Sequence, residues 1–471
     1  MSGPLRALAG IVEQAWLVGG ALRDRLLGRP TADYDVAVAV AGEGSSGDDV
    51  QRTARALGRA AGGFAFALSE TFGAWRVVSH SRSWQVDLTP LAGATIEADL
   101  ALRDLTVNAV AQPLGGDEAL VDPFGGLEDL RLRRLRSVSP DAFERDPLRS
   151  LRLVRLACEL EFSVDPDTLG LARASAPGLR GVAPERVFAE LRRVLSAEQA
   201  LDGLDLMDAT AVTAAILPEL VELRGIDQSR FHHLDAFEHT RAVLAETIAL
   251  ERDPEPAFGE DAAAVLALLS EPLANELTRG QALRFGALLH DIAKPQTRAE
   301  TPEGRVTFMR HDEAGAQLSA AILARLRASD RLAEYVGGLT RHHLRLGFLI
   351  HRMPLSRRET YRYLDACAPV QVDVTVLSVA DRLATRGDGA ERATLRHLEL
   401  ARLLMHEALA WRADPPRPPI RGDQLSRALG IAPGPQLGEL LRELEEASYA
   451  GEISSREDAV AHARRRMGRG G

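Results

Sequence analysis

The sequence predicts two fold classes in series: an α/β head with a small mixed sheet, followed by an all-α neck, a larger helical domain and a small helical tail. Three observations carry this. Short strand-like runs are confined to about the first 130 of 471 residues. Beyond them apolar residues recur at helical spacing, as in "PLRSLRLVRLACEL" and "PERVFAELRRVLS". Ten of the twelve histidines then fall within residues 223–410, so a different chemistry begins there.

Taken in order, the head (1–130) holds the runs "AWLVGG", "DYDVAVAV", "AWRVVS", "WQVDLTPL" and "LTVNAVAQPL", with a helix over "DDVQRTARALGRAAG". The neck (131–222) reads as successive amphipathic helices without strands. The histidine-rich domain (223–411) is helical, with "ERDPEPAFGEDAAA" as a polar loop inside it. "RADPPRPPI" (412–420) is a stiff linker. The tail, to residue 471, places a Gly-Pro turn between two helical patterns.

Composition bounds the function. Hydrophobic residues at 45% and charged residues at 26% are those of a soluble globular chain, long enough for two to four domains. A net charge of -10 argues against a protein that coats nucleic acid, and DNA is not expected as a partner. A focused patch remains at 131–155, where eight arginines face only Asp141, Glu144 and Asp146, an excess of five positive charges. Lys294 is the one lysine among 57 basic residues. Cys158 and Cys367 lie far apart in apolar contexts and read as reduced core thiols. With no run of membrane-spanning length and no leader pattern, the expected location is the cytoplasm.

The first chemical signal is "LVGGALRDRLLGRPTADYDVAVA" at 17–39. On a strand, residues i and i+2 share a face, so Asp33 and Asp35 present two carboxylates side by side. Their repulsion favours a hard divalent cation such as Mg²⁺ between them. Asp87, in "WQVDLTP", is placed to add a third carboxylate from a neighbouring strand. Gly19 and Gly20 free the backbone to approach a ligand, and the helix start that follows, with Arg23, attracts phosphate. A lone D-x-D or GG is weak; together they point to a nucleoside triphosphate bound for nucleotidyl transfer.

These motifs, with "LRDLTVNAVA" at 102–111, "LVDPFGGLEDL" at 120–130 and "RDPLRSLRLVR" at 145–155, resemble the class II tRNA nucleotidyltransferase and bacterial poly(A) polymerase family. The resemblance implies a head of the polymerase β-like nucleotidyltransferase type. It implies that Asp33 and Asp35 hold the catalytic metals, and that Gly19, Gly20 and Arg23 lie near the triphosphate. Arg103 and Asp104 match the ribose-recognising motif, and Asp146 and Arg149, with Arg152 among the substrate-binding residues, match the pair that reads the incoming base. The implied partners are the acceptor end of a tRNA, lying across the basic stretch, and CTP and ATP. Three departures stand out: Arg145 replaces an acid, Leu102 replaces the first arginine of an R-R-D motif, and "AGA" alone joins "VDLTPL" to "TIEADL". In the family a shortened loop at that point accompanies addition of the two cytidines only.

The histidine-rich domain offers "HHLDAFEHT" (His232, His233, His239), "LLHDIAKP" (His290, Asp291), "RHDEAG" (His311), "TRHHLRLG" (His342, His343) and "VADRLATRG" (Asp381). Imidazoles and carboxylates spread over several helices can converge on transition metals in a bundle core. Pro295 is expected to stop the helix carrying His290 and Asp291. The order is similar to that of the HD phosphohydrolase superfamily, which implies His239, His290, Asp291 and Asp381 as ligands and His311 with His342 or His343 at a second ion. The implied cofactor is a divalent transition metal (Mn, Ni, Fe or Zn), and the chemistry is attack of activated water on a phosphoester.

The reading is therefore template-independent addition of C and A to a tRNA 3′ end, coupled to an HD metal phosphohydrolase. A CC-only or A-only enzyme and a poly(A) polymerase stay open beside it, as does, from another class, a phosphohydrolase with an inactive head.

Overall fold

The computed structural model describes residues 3–39, 48–69, 73–115, 119–228, 234–386 and 390–468. The chain divides into two compact units, Met1–Ile216 and Leu217–Gly471. Among the described residues no single helix is long and apolar enough to cross a membrane.

The first unit opens with helix α1 (Gly3–Ala9) and strand β1 (Ala15–Val18), which runs directly into α2 (Gly19–Leu26). Then come β2 (Asp33–Val38), α3 (Asp48–Ala61), β3 (Gly63–Ser69), β4 (Ala74–Ser79), β5 (Gln85–Pro90), α4 (Ile96–Leu100) and β6 (Ala111–Pro113). The six strands form one sheet in the order β3-β4-β5-β2-β1-β6, mixed because β2 and β5 are parallel and every other pair is antiparallel.

Period-two alternation sets the two faces. Val36 and Val38 of β2, Val77 of β4 and Val86 and Leu88 of β5 pack against Leu5, Leu8, Leu22, Val50, Ala54 and Leu57 from α1, α2 and α3. The opposite face buries Val18, Ala37, Ile96, Leu100, Ala109 and Ala111. Asp33 and Asp35 share the Ala37 face of β2, and Asp87 the matching face of β5.

Two details differ from the expected strands. β3 lies outside the anticipated runs and forms a sheet edge whose Phe64, Phe66 and Leu68 stay exposed. "LTVNAVAQPL" is strand only at its end, and Thr106–Asn108 is a 3₁₀ turn. There Asp104 Oδ1 accepts from Leu105 N and Asn108 Nδ2, and Thr106 Oγ1 donates to Asp129, so local side-chain bonds displace the ladder.

The neck continues with α5 (Gly126–Arg131), α6 (Leu148–Leu160) and α7 (Pro184–Ser196). It is not strand-free, since β7 (Arg134–Leu135) and β8 (Ser163–Val164) pair in parallel.

The second unit is built on α8 (Ala236–Arg252), α9 (Arg279–Leu289), α10 (His311–Arg325), α11 (Asp330–His342), α12 (Gln371–Ala384) and α13 (Ala390–Ala413). Asp235 caps α8 by accepting from Glu238 N, and Thr278 with Gln281 closes a capping box on α9. Short two-stranded ladders join Pro272–Ala274 to Leu277–Thr278 and Arg298–Glu300 to Val306–Phe308. The expected polar loop at 251–264 is mostly helical: Glu255–Phe258 follows Pro254, carries a proline in its own first turn, and buries Ala257 and Phe258. The tail packs three helices, Gly422–Leu429, Pro435–Tyr449 and Arg456–Gly468, around Leu425, Leu440, Leu444 and Ala459.

Candidate functional sites

In the first unit, the open face of the sheet and helix α6 bound a cleft of about 690 Å³. Ten of the eleven residues singled out in this half line it: Gly19, Gly20, Arg23, Asp33, Asp35, Asp87, Arg103, Asp104, Arg149 and Arg152. Asp146 is the exception.

The strand register builds the floor. Asp33 stands opposite Gln85 and Asp35 opposite Asp87 across the parallel β2–β5 pair, and Val18 is opposite Asp35 across β1–β2. Gly19 follows with φ +66°, a left-handed conformation that suits glycine. A Cβ there would stand 3.0 Å from Arg103 Nη1 and 3.1 Å from Asp35 Oδ2, so glycine admits both groups. Enclosure in the cleft raises the Asp35 carboxyl above its ordinary value; Arg103 opposes this, and Asp87 and Asp33 add to it. Among the described residues neither the Asp33 nor the Asp35 carboxylate has an ion-pair or side-chain hydrogen-bond partner, and both residues keep access to solvent at the cleft floor.

The arginines are more committed than the sequence suggests. Arg23 donates to Asn108 Oδ1 at 2.8 Å and to Asp24 Oδ1 at 2.8 and 2.9 Å. Arg103 donates to Asp99 at 3.0 Å. Asp104 is buried; burial pushes its carboxyl up, but Arg152, Asn108 and the Leu105 amide hold it below the ordinary value.

Asp146 and Arg149 do not meet each other through their side chains. Asp146 Oδ2 accepts from Arg186 at 2.8 Å, while Arg149 donates to the carbonyls of Leu102 at 2.8 Å, Ala142 at 3.0 Å and Arg103 at 3.3 Å. Arg145, in the place of an expected acid, pairs with Asp141 at 2.6 Å.

The basic stretch is likewise largely paired within the chain, while much of it stays at the surface. Arg131 pairs with Glu128, Arg134 and Arg136 with buried Asp129, Arg152 with Asp104 and Glu190, and Arg155 with Glu159 and Glu190. With Arg145 and Arg149 above, seven of its eight arginines have partners inside the chain. Arg76, Gln85, Asp99 and Asn108 also line the cleft and were not singled out by the sequence.

In the second unit, six side chains converge. His239 of α8 lies 3.0 Å from Asp381 of α12, and His290 and His311 lie 3.1 and 3.2 Å from Asp291. Ligand atoms gather in two groups, His239 with His290 and Asp381, and Asp291 with His311 and His343, each within 4.8 Å. Of the two adjacent histidines, His343 is buried in the second group, whereas His342 is partly exposed and accepts from Arg345 Nε at 2.8 Å. His342, expected as a ligand, thus lies outside the cluster and His343 inside it, because one step along the helix turns a side chain by about 100°. His232 and His233 lie outside the described residues. α9 ends at Leu289, so His290 and Asp291 sit in the turn after it, and Pro295 lies in the first turn of the next short helix, Lys294–Thr297, instead of stopping this one.

Backbone carbonyls fix the tautomers. Nδ1 of His290, His311 and His343 lies 2.8, 2.7 and 2.7 Å from the carbonyls of Ala287, Phe308 and Thr340. A carbonyl only accepts, so Nδ1 carries the hydrogen and Nε2 presents a lone pair. The buried Nε2 atoms of His290 and His311 form no hydrogen bond although Asp291 oxygens are close. Burial works to lower His290, yet Asp291 beside it holds it above its ordinary value, so a proton shared between them, or a bound cation in its place, separates the facing acceptors. Burial and the neighbouring His290 push His343 down to about 4, which keeps its ring neutral. Burial works to raise Asp291 and Asp381, yet the imidazoles and, at Asp291, Lys294 hold both well below the ordinary carboxylate range. This donor set fits one or two divalent ions.

Comparison with known proteins identifies the domains in which the two sites lie. The "Poly A polymerase head domain" matches residues 15–136, the "Probable RNA and SrmB- binding site of polymerase A" residues 161–223, and the "HD domain" residues 237–386. Head and HD domains of these kinds imply divalent metal use. The chain is 35% identical over 457 residues to the A-adding tRNA nucleotidyltransferase of Deinococcus radiodurans, covering 96% of this chain and 95% of that one. It is 34% identical over 455 residues to the CC-adding tRNA nucleotidyltransferase of Thermus thermophilus (95% and 93%). With the multifunctional CCA protein of Paracidovorax citrulli it shares 31% over 453 residues (91% and 95%). In fold it is similar to the Thermotoga maritima CCA-adding enzyme complexed with tRNA, with a TM-score of 0.62 at 18% identity over 98% of this chain and 94% of that one. The matched head, RNA-binding and HD domains, and relatives above 30% identity over nearly the whole chain, establish that this protein belongs to the tRNA nucleotidyltransferase and poly(A) polymerase family.

Proposed function

We propose that the chain adds cytidylate and adenylate residues to the 3′ end of tRNA from CTP and ATP, without a nucleic-acid template. The observation that carries this is the cleft floor, where two carboxylates with no side-chain partner among the described residues, Asp33 and Asp35, stand beside Gly19 and Arg103. In this reading Asp33 and Asp35 hold Mg²⁺, which supplies charge stabilisation to the phosphoryl group in transfer and activation of the attacking 3′-hydroxyl. Gly19 and Gly20 let the backbone approach the triphosphate, with Arg23 shaping that wall through Asp24 and Asn108. Arg103 and Asp104 orient the ribose.

Arg149 and Arg152 face the cleft and, with Asp146, read the base edge by hydrogen bonds. Asp146 must leave Arg186 to do so. The division of labour follows the chain: head 1–130, base-reading and RNA-binding neck 131–222, HD domain 223–411, linker and tail 412–471.

The test is incorporation of labelled CTP and ATP, singly and together, into tRNA transcripts ending before CCA, after C and after CC. Addition of all three residues is expected, and no incorporation into any transcript refutes the reading. A second reading is addition of CC only, favoured by the short β5–α4 connection, Leu91–Thr95, or of CC only or A only, favoured by two relatives whose names carry a single specificity. Arrest after CC, or addition of the terminal A alone, selects it.

The second unit is proposed as a phosphohydrolase centre. His239, His290, Asp291, His311, His343 and Asp381 would hold a divalent transition metal (Mn, Ni, Fe or Zn), which supplies activated water for attack on a phosphoester. Asp291 joins the two halves of the centre, and the backbone-anchored Nδ1 atoms keep the imidazoles aimed. Metal-dependent hydrolysis of a 2′,3′-cyclic phosphate is the activity to measure.

A further inference from the structure

The cleft treats the three carboxylates on its β2–β5 floor, Asp33, Asp35 and Asp87, unequally. Asp33 and Asp35 have no side-chain partner among the described residues, whereas Asp87 is fully engaged. Arg76 of β4 stands opposite Asp87 of β5 in the antiparallel register, and its Nε and Nη2 donate to Oδ1 and Oδ2 at 2.6 and 2.7 Å. One planar fork thus occupies both oxygens of the group that the sequence offers as a third metal ligand.

The same pairing fixes where the guanidinium points. Arg76 lines the cleft on the face shared by Asp35 and Asp87, and its Nη1 hydrogens have no partner among the described residues. The neighbouring Arg23 is consumed by Asp24 and Asn108, and Arg103 is braced by Asp99. Arg76 is held by a strand pair rather than a loop, so its spare donors are aimed before any ligand arrives.

We propose that Asp87 is not a metal ligand but a positioning residue that anchors Arg76, and that Arg76 binds the phosphate chain of the incoming nucleoside triphosphate. The proposal rests on reading the head as a nucleotidyl-transfer site. A guanidinium with one edge on a carboxylate and its remaining hydrogens in a cleft suits phosphate oxygens, and its positive charge offsets repulsion between the triphosphate and the carboxylates.

The test compares Arg76→Gln, Arg76→Lys, Asp87→Asn and the double variant R76Q/D87N in steady-state incorporation, with nucleotide and Mg²⁺ varied separately. R76Q is expected to raise KM for the nucleotide about tenfold or more, the range of one charge-assisted hydrogen bond. D87N moves KM in the same direction, R76K restores part of it, and the double variant is no worse than the worse single one. The Mg²⁺ concentration for half-maximal rate stays put. A D87N variant that instead loses about 100-fold in kcat and needs more Mg²⁺, beside an R76Q variant with KM within twofold of wild type, overturns the proposal. If the wild-type chain incorporates nothing into tRNA, the reading of the head fails. Calorimetric binding of inorganic tripolyphosphate then decides this inference on its own: weaker in R76Q supports it, equal affinity overturns it.

Discussion

Replacing Gly19 by alanine tests the geometry of the cleft with a single methyl group. Two costs follow from the structure. The backbone at φ +66° costs an L-residue about 1–2 kcal/mol. In a unit of this size that lowers the melting temperature by roughly 2–8 °C. The new Cβ would also stand 3.0 Å from Arg103 Nη1 and 3.1 Å from Asp35 Oδ2, so both groups must move by a few tenths of an ångström. A misplacement of about 1 Å at a reacting centre costs on the order of 100-fold, so a loss of about tenfold in incorporation rate is expected here. Gly28 provides the control: its φ is +71°, and a Cβ there meets nothing within 4 Å. Gly28→Ala should share the melting shift and keep the rate. The assay is single-turnover incorporation of labelled nucleotide beside thermal unfolding. A folded Gly19→Ala protein with a rate within twofold of Gly28→Ala would refute the placement of Asp35 and Arg103 at the reacting centre.

His343→Ala should cut divalent-metal affinity of the second unit by at least tenfold, while His342→Ala leaves it unchanged; metal content by mass spectrometry after dialysis reads the difference. His397 is buried beside Ser378, and burial pushes it down to about 4. Its unfolded value is near 6.5, so as pH falls the unfolded chain binds this proton first, and stability is lost between about 6.5 and 4. At pH 5 the loss from this one group is about 2 kcal/mol, and urea unfolding of a His397→Gln variant should show a correspondingly shallower decline from pH 7.5 to 5. Asp129, fully buried between Thr106, Arg134 and Arg136, holds the "LRDLTVNAVA" turn to the neck. Asp129→Ala should cost about 3 kcal/mol in denaturant unfolding, and a change below about 1 kcal/mol would show that the network is dispensable.

The parts legible in the sequence were those fixed by short-range periodicity. Asp33 and Asp35 share a face because they are two residues apart on a strand, and the hydrophobic alternation of "DYDVAVAV" already says which face. Partner choice was not legible, because it depends on register between strands distant in sequence. Arg76 in "AWRVVS" carries no local mark, and only the β4–β5 pairing sets it on Asp87. For the same reason the charge excess of 131–155 suggested a free RNA-binding stripe, whereas Asp104, Asp129, Glu159 and Glu190 neutralise much of it from other elements. Adjacent histidines gave a real ambiguity. His342 and His343 offer the same chemistry, and the end of α11 decides which ring turns inward.

The central claim is that one chain carries two separable metal chemistries, nucleotidyl transfer in the head and a distinct centre in the helical unit. The most direct measurement is incorporation of labelled CTP and ATP into tRNA by wild type, Asp35→Ala and Asp291→Ala, with metal-dependent phosphoester hydrolysis read on the same three preparations. Asp35→Ala is expected to abolish incorporation and keep hydrolysis, and Asp291→Ala to do the reverse. Incorporation surviving in Asp35→Ala, or both activities lost in either variant while it remains folded, would contradict the claim.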